Sequence, residues 1–352
     1  MSFLRNTWYM AAWADEIGDP LFSRRIAGRP VLLYRTSNGT LAALEDRCPH
    51  RFAPLSRGTR KGDAIACGYH GLTFDQTGRC IHNSLGSQIP KGAQVPSFPV
   101  VERDTIAWVW LGAPDDADPA MIPDFAFLPD GPHNRTVHGH MPLAANYEYG
   151  TDNLLDLSHI EFVHKGSFAG RGVIFAGKHE ARAEGATLWS NWWMPNVAAP
   201  PHTMGVYPPE LQCDHWLDMR WNAPASMRLE VGATPHGKPR EEGFAVLQAH
   251  VVTPETEHTS HYFWASCRPN DVDNRDLDAM LVQLFDQAFT IEDKPIIEAA
   301  YANVLHSDRG PGFWDQKPAF LPSDAGGTRA RRMIEAKLRR EVAEPPADSS
   351  SQ

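Results

Sequence analysis

A small all-β domain followed by an α+β domain organised around one long helix is the fold class that the sequence predicts. Three observations carry it. Short strand-like runs separated by turn residues fill residues 1–118. Longer strand-like runs recur between about 187 and 266. A single amphipathic stretch then extends from about Leu277 to Ala302, with Leu277, Met280, Leu281, Leu284, Phe285, Ala288 and Phe289 at helical spacing. The boundaries follow: 1–118 for the first domain, 119–340 for the second, and a polar tail at 341–352 expected to be disordered.

In the first domain, Val31 to Tyr34, Leu41 to Leu44 and Ile106 to Leu111 read as strands. Between the second and third lie two short motifs, Cys48-Pro49-His50 and Cys67-Gly68-Tyr69-His70, separated by sixteen residues. Each motif supplies one thiolate and one imidazole from one tight loop, and Pro49, Gly68 and Gly71 suit such turns. A zinc site of two Cys and two His would pair Cys with Cys and His with His. The mixed pairing instead matches a Rieske [2Fe–2S] centre, in which two Cys hold one iron and two His the other. Cys48, His50, Cys67 and His70 are therefore the candidate cluster ligands.

Pro114 to Asp124, rich in Asp, Ala and Pro, reads as a linker. The second domain is expected to open on a helix carrying Asn153, Asp156, His159 and His164. Two His and one carboxylate on one face of a metal, with other positions open, form the facial triad of non-haem Fe(II) oxygenases. His159 and His164 are the candidate imidazole ligands. On a regular α-helix residues five apart diverge by about 140°, so the helix should be irregular between Asp156 and His164, through a π-type widening or a break. Asp156 lies three residues before His159, near its face.

Spacing alone does not choose the carboxylate. Glu292 and Asp293 lie in the long helix, where Pro295 should introduce a kink just after them. The inward face continues through Asp293, Ile296 and Ile297, and a buried carboxylate must be paired or metal-bound. That favours Asp293 over Glu292 or Glu298; a solvated helix-surface acid in a salt bridge is the alternative.

The chain has 42% hydrophobic and 22% charged residues and a net charge of −10, which argues against a nucleic-acid surface. It has no apolar run of transmembrane length and no basic, apolar leader, so a cytoplasmic address is expected. Cys80, Cys213 and Cys267 are expected to be free buried thiols, as suits a reducing compartment.

With both motifs in hand, the chain resembles the oxygenase component of Rieske non-haem iron monooxygenases, in the vanillate O-demethylase and dicamba demethylase group. The resemblance runs nearly end to end. It includes Arg5 to Tyr9, Ala43 to Asp46, both Cys/His loops, Asp152 to Asp156, Thr253 to Thr256, and Asp324 to Gly327 before a basic C-terminal helix. It implies a helix-grip (START-like) catalytic domain, Asp293 as the third Fe2+ ligand, and a homotrimeric ring. In that ring Asp156 hydrogen-bonds His159 of its own chain and His70 of a neighbour, as an electron-transfer bridge, and Asn153 is a further polar neighbour of the iron. Electrons come from NADH or NADPH through a separate reductase or ferredoxin, and O2 is the co-substrate.

The implied reaction is hydroxylation, and so O-demethylation, of a small methoxylated aromatic acid resembling vanillate. Arylsulfonate methyl hydroxylation and N-demethylation are the alternatives within the class. His250 matches a substrate-contacting histidine of dicamba demethylase. Leu229 and Leu284 replace a polar residue and a Trp around that enzyme's ligand, whereas Asn196 to Pro201 and Leu229 to Gly232 look closer to vanillate demethylase. Trp189, Trp192, Trp193 and Met194 could line the pocket, although strand aromatics more often pack neighbours. Two readings from other classes remain. A Rieske electron carrier without oxygenase activity leaves the His159 and His164 set unexplained, and an idle ligand-binding protein of this fold predicts no substrate-dependent oxygen uptake.

Overall fold

In the computed structural model the described residues are 3–168, 172–203 and 205–343. They form two compact units: residues 3–124 with 255–257 and 338–343, and residues 125–254 with 258–337. The break after Asp124 falls where the Pro114 to Asp124 linker ends.

The first unit is built from ten short strands: β1 Trp8–Trp13, β2 Phe22–Ile26, β3 Arg29–Arg35, β4 Leu41–Glu45, β5 Thr59–Lys61, β6 Ala64–Ala66, β7 Thr73–Phe74, β8 Cys80–His82, β9 Val100–Arg103 and β10 Ile106–Trp110. They pair antiparallel as β1-β10-β9, β2-β3-β4 and β5-β6-β7-β8. β1 and β10 are buried along their whole length. One cluster of buried residues joins β1, β3 and β10 through Tyr9, Val31, Leu33 and Val109. A second gathers Leu32, Leu44, Leu55, Ile65 and Phe74 around Cys48 and Cys67. The two motif cysteines thus hang from the core itself, and their loops inherit its rigidity.

The second unit is a seven-stranded antiparallel sheet in the order β11-β17-β16-β15-β14-β13-β12. Its strands are β11 Arg135–Leu143, β12 Lys178–Glu184, β13 Thr187–Ala198, β14 Gln212–Asn222, β15 Ser226–Pro235, β16 Phe244–Pro254 and β17 Ser260–Arg268. The helices are α1 Tyr147–Leu155, α2 Ile160–Val163, α3 Arg275–Asp286, α4 Lys294–Leu305 and α5 Ala325–Ala343. The unit opens on β11 rather than on the metal-bearing helix. Antiparallel strands alternate their side chains between faces. On one face Met219, Leu229, His250, Tyr262 and Trp264 are buried, and Phe285 and Phe289 of the long helical segment pack on Trp264.

That segment is not one regular α-helix. Between α3 and α4 the backbone widens into a π-helix, Gln287–Asp293, and Pro295 falls in the first turn of α4. Proline donates no hydrogen bond and its ring crowds the carbonyl four residues back. A wide turn immediately upstream eases both demands.

Gly326 and Gly327 lie inside the first turn of α5 rather than before it. A Cβ on Gly326 would sit 2.8 Å from Ser190 Oγ, and one on Gly327 would sit 2.7 Å from Asp152 Oδ1. Glycine therefore lets α5 approach the end of α1 closely. Arg331 of α5 fixes the contact. Its guanidinium is 4% exposed, reaches Asp152 and Glu148 of α1, and lies over the Phe313 ring. Removing one partner of a buried ion pair strands the other. Arg331→Ala should therefore cost about 3 kcal/mol, the low end of the usual range because Asp152 keeps some exposure. Thermal unfolding measures this; an unchanged midpoint would show the pair to be idle.

The tail expectation is corrected in part. Glu341 to Ala343 continue α5, and the Glu341 carboxylate accepts hydrogen bonds from the backbone N–H of Arg5 and Asn6, both at 2.9 Å. Residues 344–352 lie outside the described residues. Cys80, Cys213 and Cys267 are buried thiols.

Candidate metal centres

The two cluster loops share one backbone plan. The Cys48 N–H donates to Ala53 O and the Phe52 N–H to Cys48 O; the Cys67 N–H donates to Leu72 O and the Gly71 N–H to Cys67 O. The fifth residue of each loop has positive φ, 61° at Phe52 and 73° at Gly71. Gly71 adopts this without strain. Phe52 does so at a cost, offset by the Arg47 guanidinium over its ring at 4.2 Å. The loops also pack on each other's supports: a Cβ on Gly68 would lie 2.6 Å from Arg57 O.

The result sorts the four donors by type. Cys48 and Cys67 are 2% and 4% exposed, and their thiols are neighbours. Burial, reinforced by the second thiol, pushes the Cys48 pKa up, and the positive charge of a bound iron would offset this. The His50 and His70 rings lie outside, 4.6 Å apart and edge to face. Thiols within and imidazoles toward solvent fit the two unlike irons of a Rieske cluster.

In the second unit α1 stops at Leu155 because Asp156 leaves helical geometry, with φ −121° and ψ 86°. Its carboxylate then caps the next turn: Oδ1 accepts from the Ser158 N–H at 3.0 Å and from the Ser158 hydroxyl at 2.6 Å. Oδ2 accepts from the Ser323 hydroxyl at 2.9 Å. A 3-10 turn, Leu157–His159, runs into α2, and His164 follows as its cap. The expected irregularity is there, as a break at Asp156 and a tightening up to His159. The π-helix stands instead in the other wall of the site, where it delivers Asp293.

These distortions bring His159, His164 and Asp293 together, with one donor atom from each lying within 4.8 Å of the others. His159 Nε2 is 3.5 Å from Asp293 Oδ1, and His164 Nε2 is 3.2 Å from Asp293 Oδ2. Asp293 is 2% exposed. Asn153 Nδ2 donates to its Oδ1 at 3.3 Å, so Asn153 does border the site. A buried carboxylate facing two imidazoles and one amide suits a bound divalent cation, which would offset its desolvation. Burial holds the His159 pKa down, against the raising influence of Asp293; a neutral imidazole is the ligating form.

Each imidazole is oriented through Nδ1. For His159 the partner is the Asp156 backbone carbonyl, at 2.6 Å. The expectation that the Asp156 carboxylate holds His159 is therefore corrected: that carboxylate is engaged by Ser158 and Ser323, and the peptide oxygen does the orienting. For His164 the partner is Glu292 Oε2, at 2.9 Å. Glu292 is the residue that sequence reasoning passed over, because a helical wheel sets it 100° away from Asp293 and only the π-turn changes that.

His250 lies within electrostatic reach of Asp293. It is 2% exposed, and its ring meets Phe289 edge to face at 5.6 Å. Burial pushes its pKa down to about 3, against the pull of Asp293, so it is neutral at physiological pH. Gln248 Oε1 lies 3.2 Å from Nε2 and the Tyr262 hydroxyl 2.8 Å from Nδ1. With the amide oxygen accepting, Nε2 carries the proton and Nδ1 accepts from tyrosine. The Trp189 to Met194 run divides: Trp192 stacks on His179, Trp193 on Trp216, and Trp189 sits under Arg182.

A β-domain with paired Cys/His loops, and a sheet-and-helix domain with a buried two-His, one-carboxylate set, define a class of enzyme: the Rieske non-haem iron oxygenases. Comparison with known proteins narrows this. Residues 7–99 match the Rieske [2Fe-2S] domain, and residues 143–340 match the vanillate O-demethylase oxygenase C-terminal domain. The dicamba O-demethylase oxygenase component of Stenotrophomonas maltophilia is 37% identical over 95% of this chain and 98% of its own. The chloroacetanilide N-alkylformylase oxygenase component of Rhizorhabdus wittichii is 36% identical over 96% and 97%. The crystal structure of dicamba monooxygenase bound to 3,6-dichlorosalicylic acid superposes with a TM-score of 0.91 at 35% identity, covering 97% of this chain and all of that one. The chain belongs to the Rieske oxygenases with a vanillate O-demethylase-type catalytic domain. Its cofactors are a Rieske [2Fe–2S] cluster and a mononuclear non-haem iron. Among the described residues no helix is long and apolar enough to cross a membrane.

Proposed function

We propose that this chain is the terminal oxygenase of a multicomponent monooxygenase that O-demethylates a methoxylated aromatic acid. Cys48, His50, Cys67 and His70 hold the cluster, and His159, His164 and Asp293 hold the iron. The observation that carries the reading is the buried set of two imidazoles and one carboxylate, with Phe289, Tyr262 and a neutral His250 packed together within electrostatic reach of Asp293. When bound, the iron supplies reductive activation of O2 for insertion of one oxygen atom into a substrate C–H bond.

The chain's own residues do the rest. Asp293, His159 and His164 occupy one face and leave the other side to the reactants. Phe285 and Phe289, stacked on each other and packed on Trp264, would keep water from that side of the site and offer apolar surface to a substrate ring. A substrate carboxylate or phenolate oxygen would accept the Nε2–H hydrogen bond of His250 in place of Gln248. Methyl hydroxylation gives a hemiacetal that collapses, so the sum is ROCH3 + O2 + 2e⁻ + 2H⁺ → ROH + CH2O + H2O.

The test is oxygen uptake and formaldehyde release by iron-replete protein with a surrogate reductase, across methoxybenzoates, an arylsulfonate and an N-alkyl anilide. Equal uptake and formaldehyde from one methoxybenzoate supports O-demethylation. Turnover restricted to the anilide would favour N-dealkylation, the second reading, which the similarity to the chloroacetanilide enzyme motivates.

Electrons require a separate donor, an NAD(P)H-dependent reductase or a ferredoxin. Arg47, Arg51, Arg57, Arg60 and Lys61 flank the cluster loops, and among the described residues none meets a carboxylate, while Arg24, Arg29, Arg35 and Arg79 of the same unit do. Such a patch steers an acidic partner. Cluster reduction by the donor should slow several-fold between about 50 and 300 mM salt as the Debye length shortens, while reduction by dithionite does not. Salt-independent donor rates would remove the patch from the docking surface. A closed trimer, in which Asp156 of one protomer meets His70 of the next, completes the proposal; light scattering would report its mass.

A further inference from the structure

We propose that Glu292 is a positioning residue of the iron site: it grips His164 at Nδ1 so that Nε2 is the nitrogen presented to the metal. The inference rests on the reading above that His164 and Asp293 hold the iron. His164 is held at both ring nitrogens by consecutive residues, Glu292 at Nδ1 and Asp293 at Nε2. On an α-helix neighbouring side chains point 100° apart, and reaching two sides of one ring from one backbone position needs the wider π-turn. The widening has a second mark: Gln287 and Glu292, five apart, are hydrogen-bonded at 3.3 Å, whereas on an α-helix they would face apart by about 140°.

Glu292 is saturated. Oε2 accepts from His164 Nδ1 and the Ser167 hydroxyl, and Oε1 accepts from the Gly166 N–H at 2.9 Å and from Gln287. A carboxylate held by four donors cannot swing toward the metal itself, which separates its role from that of Asp293. The backbone around it is shaped for this contact: a Cβ on residue 166 would lie 2.6 Å from Glu292 Oε1, so glycine there lets the peptide reach the acid. Glu292 thereby ties the strand of chain after His164 to the turn that carries Asp293. An imidazole whose second nitrogen is fixed by a carboxylate keeps one tautomer and one ring angle, and loss of such a partner costs roughly 10–100-fold in metal affinity.

The test is Fe2+ affinity by chelator competition, on the full-length protein with its cluster intact, for wild type, Glu292→Ala, Glu292→Gln and Gly166→Ala. The expected order is wild type, then Glu292→Gln, then Glu292→Ala, with Ala about 10–100-fold weaker and Gly166→Ala also weakened. The visible spectrum of the cluster should stay unchanged, and the loss of iron affinity should persist under conditions where the variants are fully folded, which a merely structural role would not predict. Wild-type affinity in Glu292→Ala overturns the role of Glu292 alone. Absence of tight iron in wild type, or iron retained in Asp293→Ala, overturns the site assignment beneath it. If Glu292→Ala does not fold, Glu292→Gln and Gly166→Ala decide, and wild-type affinity in both overturns the proposal.

Discussion

Asp293→Ala should yield a protein with its full Rieske spectrum, no retained mononuclear iron and no substrate-driven oxygen uptake. Asp293 is the only carboxylate in the triad, and its two oxygens face one imidazole each. Alanine removes a ligand rather than a ligand's support, so the loss should exceed the roughly 10–100-fold that follows from deleting an outer hydrogen-bond partner. The cluster donors belong to a core of their own in the other compact unit, which is why their spectrum should survive. Iron analysis, the visible spectrum and an oxygen electrode suffice. Oxygen uptake within a few-fold of wild type would remove Asp293 from the triad and send the search to other acids.

The second large effect is expected of Asp156→Asn, for a different reason. An amide can still cap the Ser158 N–H through its oxygen and face the Ser323 hydroxyl through its nitrogen. The carbonyl that orients His159 belongs to the backbone and is untouched by the change. Both metals should therefore remain bound, with Fe2+ affinity near wild type. What is lost is the negative charge, and with it the proposed bridge to His70 of a neighbouring protomer. Turnover should fall by more than about 100-fold, beyond the loss of an ordinary outer partner, while dithionite still reduces the cluster at the normal rate. Near-wild-type coupled oxygen consumption would reduce Asp156 to a helix cap. Loss of iron would show that the carboxylate, rather than the peptide oxygen, holds the site together.

Much of this architecture was legible from the residues because local rules and tertiary structure agree. The Cys/His pairs are short-range motifs whose loops need only backbone hydrogen bonds and a turn residue, so Cys48 to His50 and Cys67 to His70 carry their meaning in the sequence. The strands at Leu41 and Ile106 were equally visible as apolar runs. Asp293 could be singled out because a buried acid is costly without a partner. The illegible parts are those where two distant segments agree on a geometry that neither dictates. The break at Asp156 depends on Ser158 and Ser323, 167 residues from Asp156 in the second case. The π-turn depends on four donors closing on Glu292, and helical periodicity could register it only as noise. His250 could be singled out through the resemblance to dicamba demethylase, but not its engagement by Tyr262, since that neighbour is fixed by strand register.

The π-turn also makes the iron site sensitive to chain length rather than to chemistry. A π-turn is an α-helix carrying one residue too many, so deleting one exposed position such as Ile291 would let the helix close to its ordinary pitch. Every residue of the donor set would still be present. Gln287 and Glu292 would then stand four apart and keep a common face, but the two acids would lie about 100° apart on a regular helix, and His164 would lose the double grip that the wider turn provides. In a lineage of such enzymes a single in-frame codon loss here would separate catalysts from silent copies with the same composition, fold and cluster. The spacing between Phe289 and Asp293 is thus a more telling character than the identity of any residue between them.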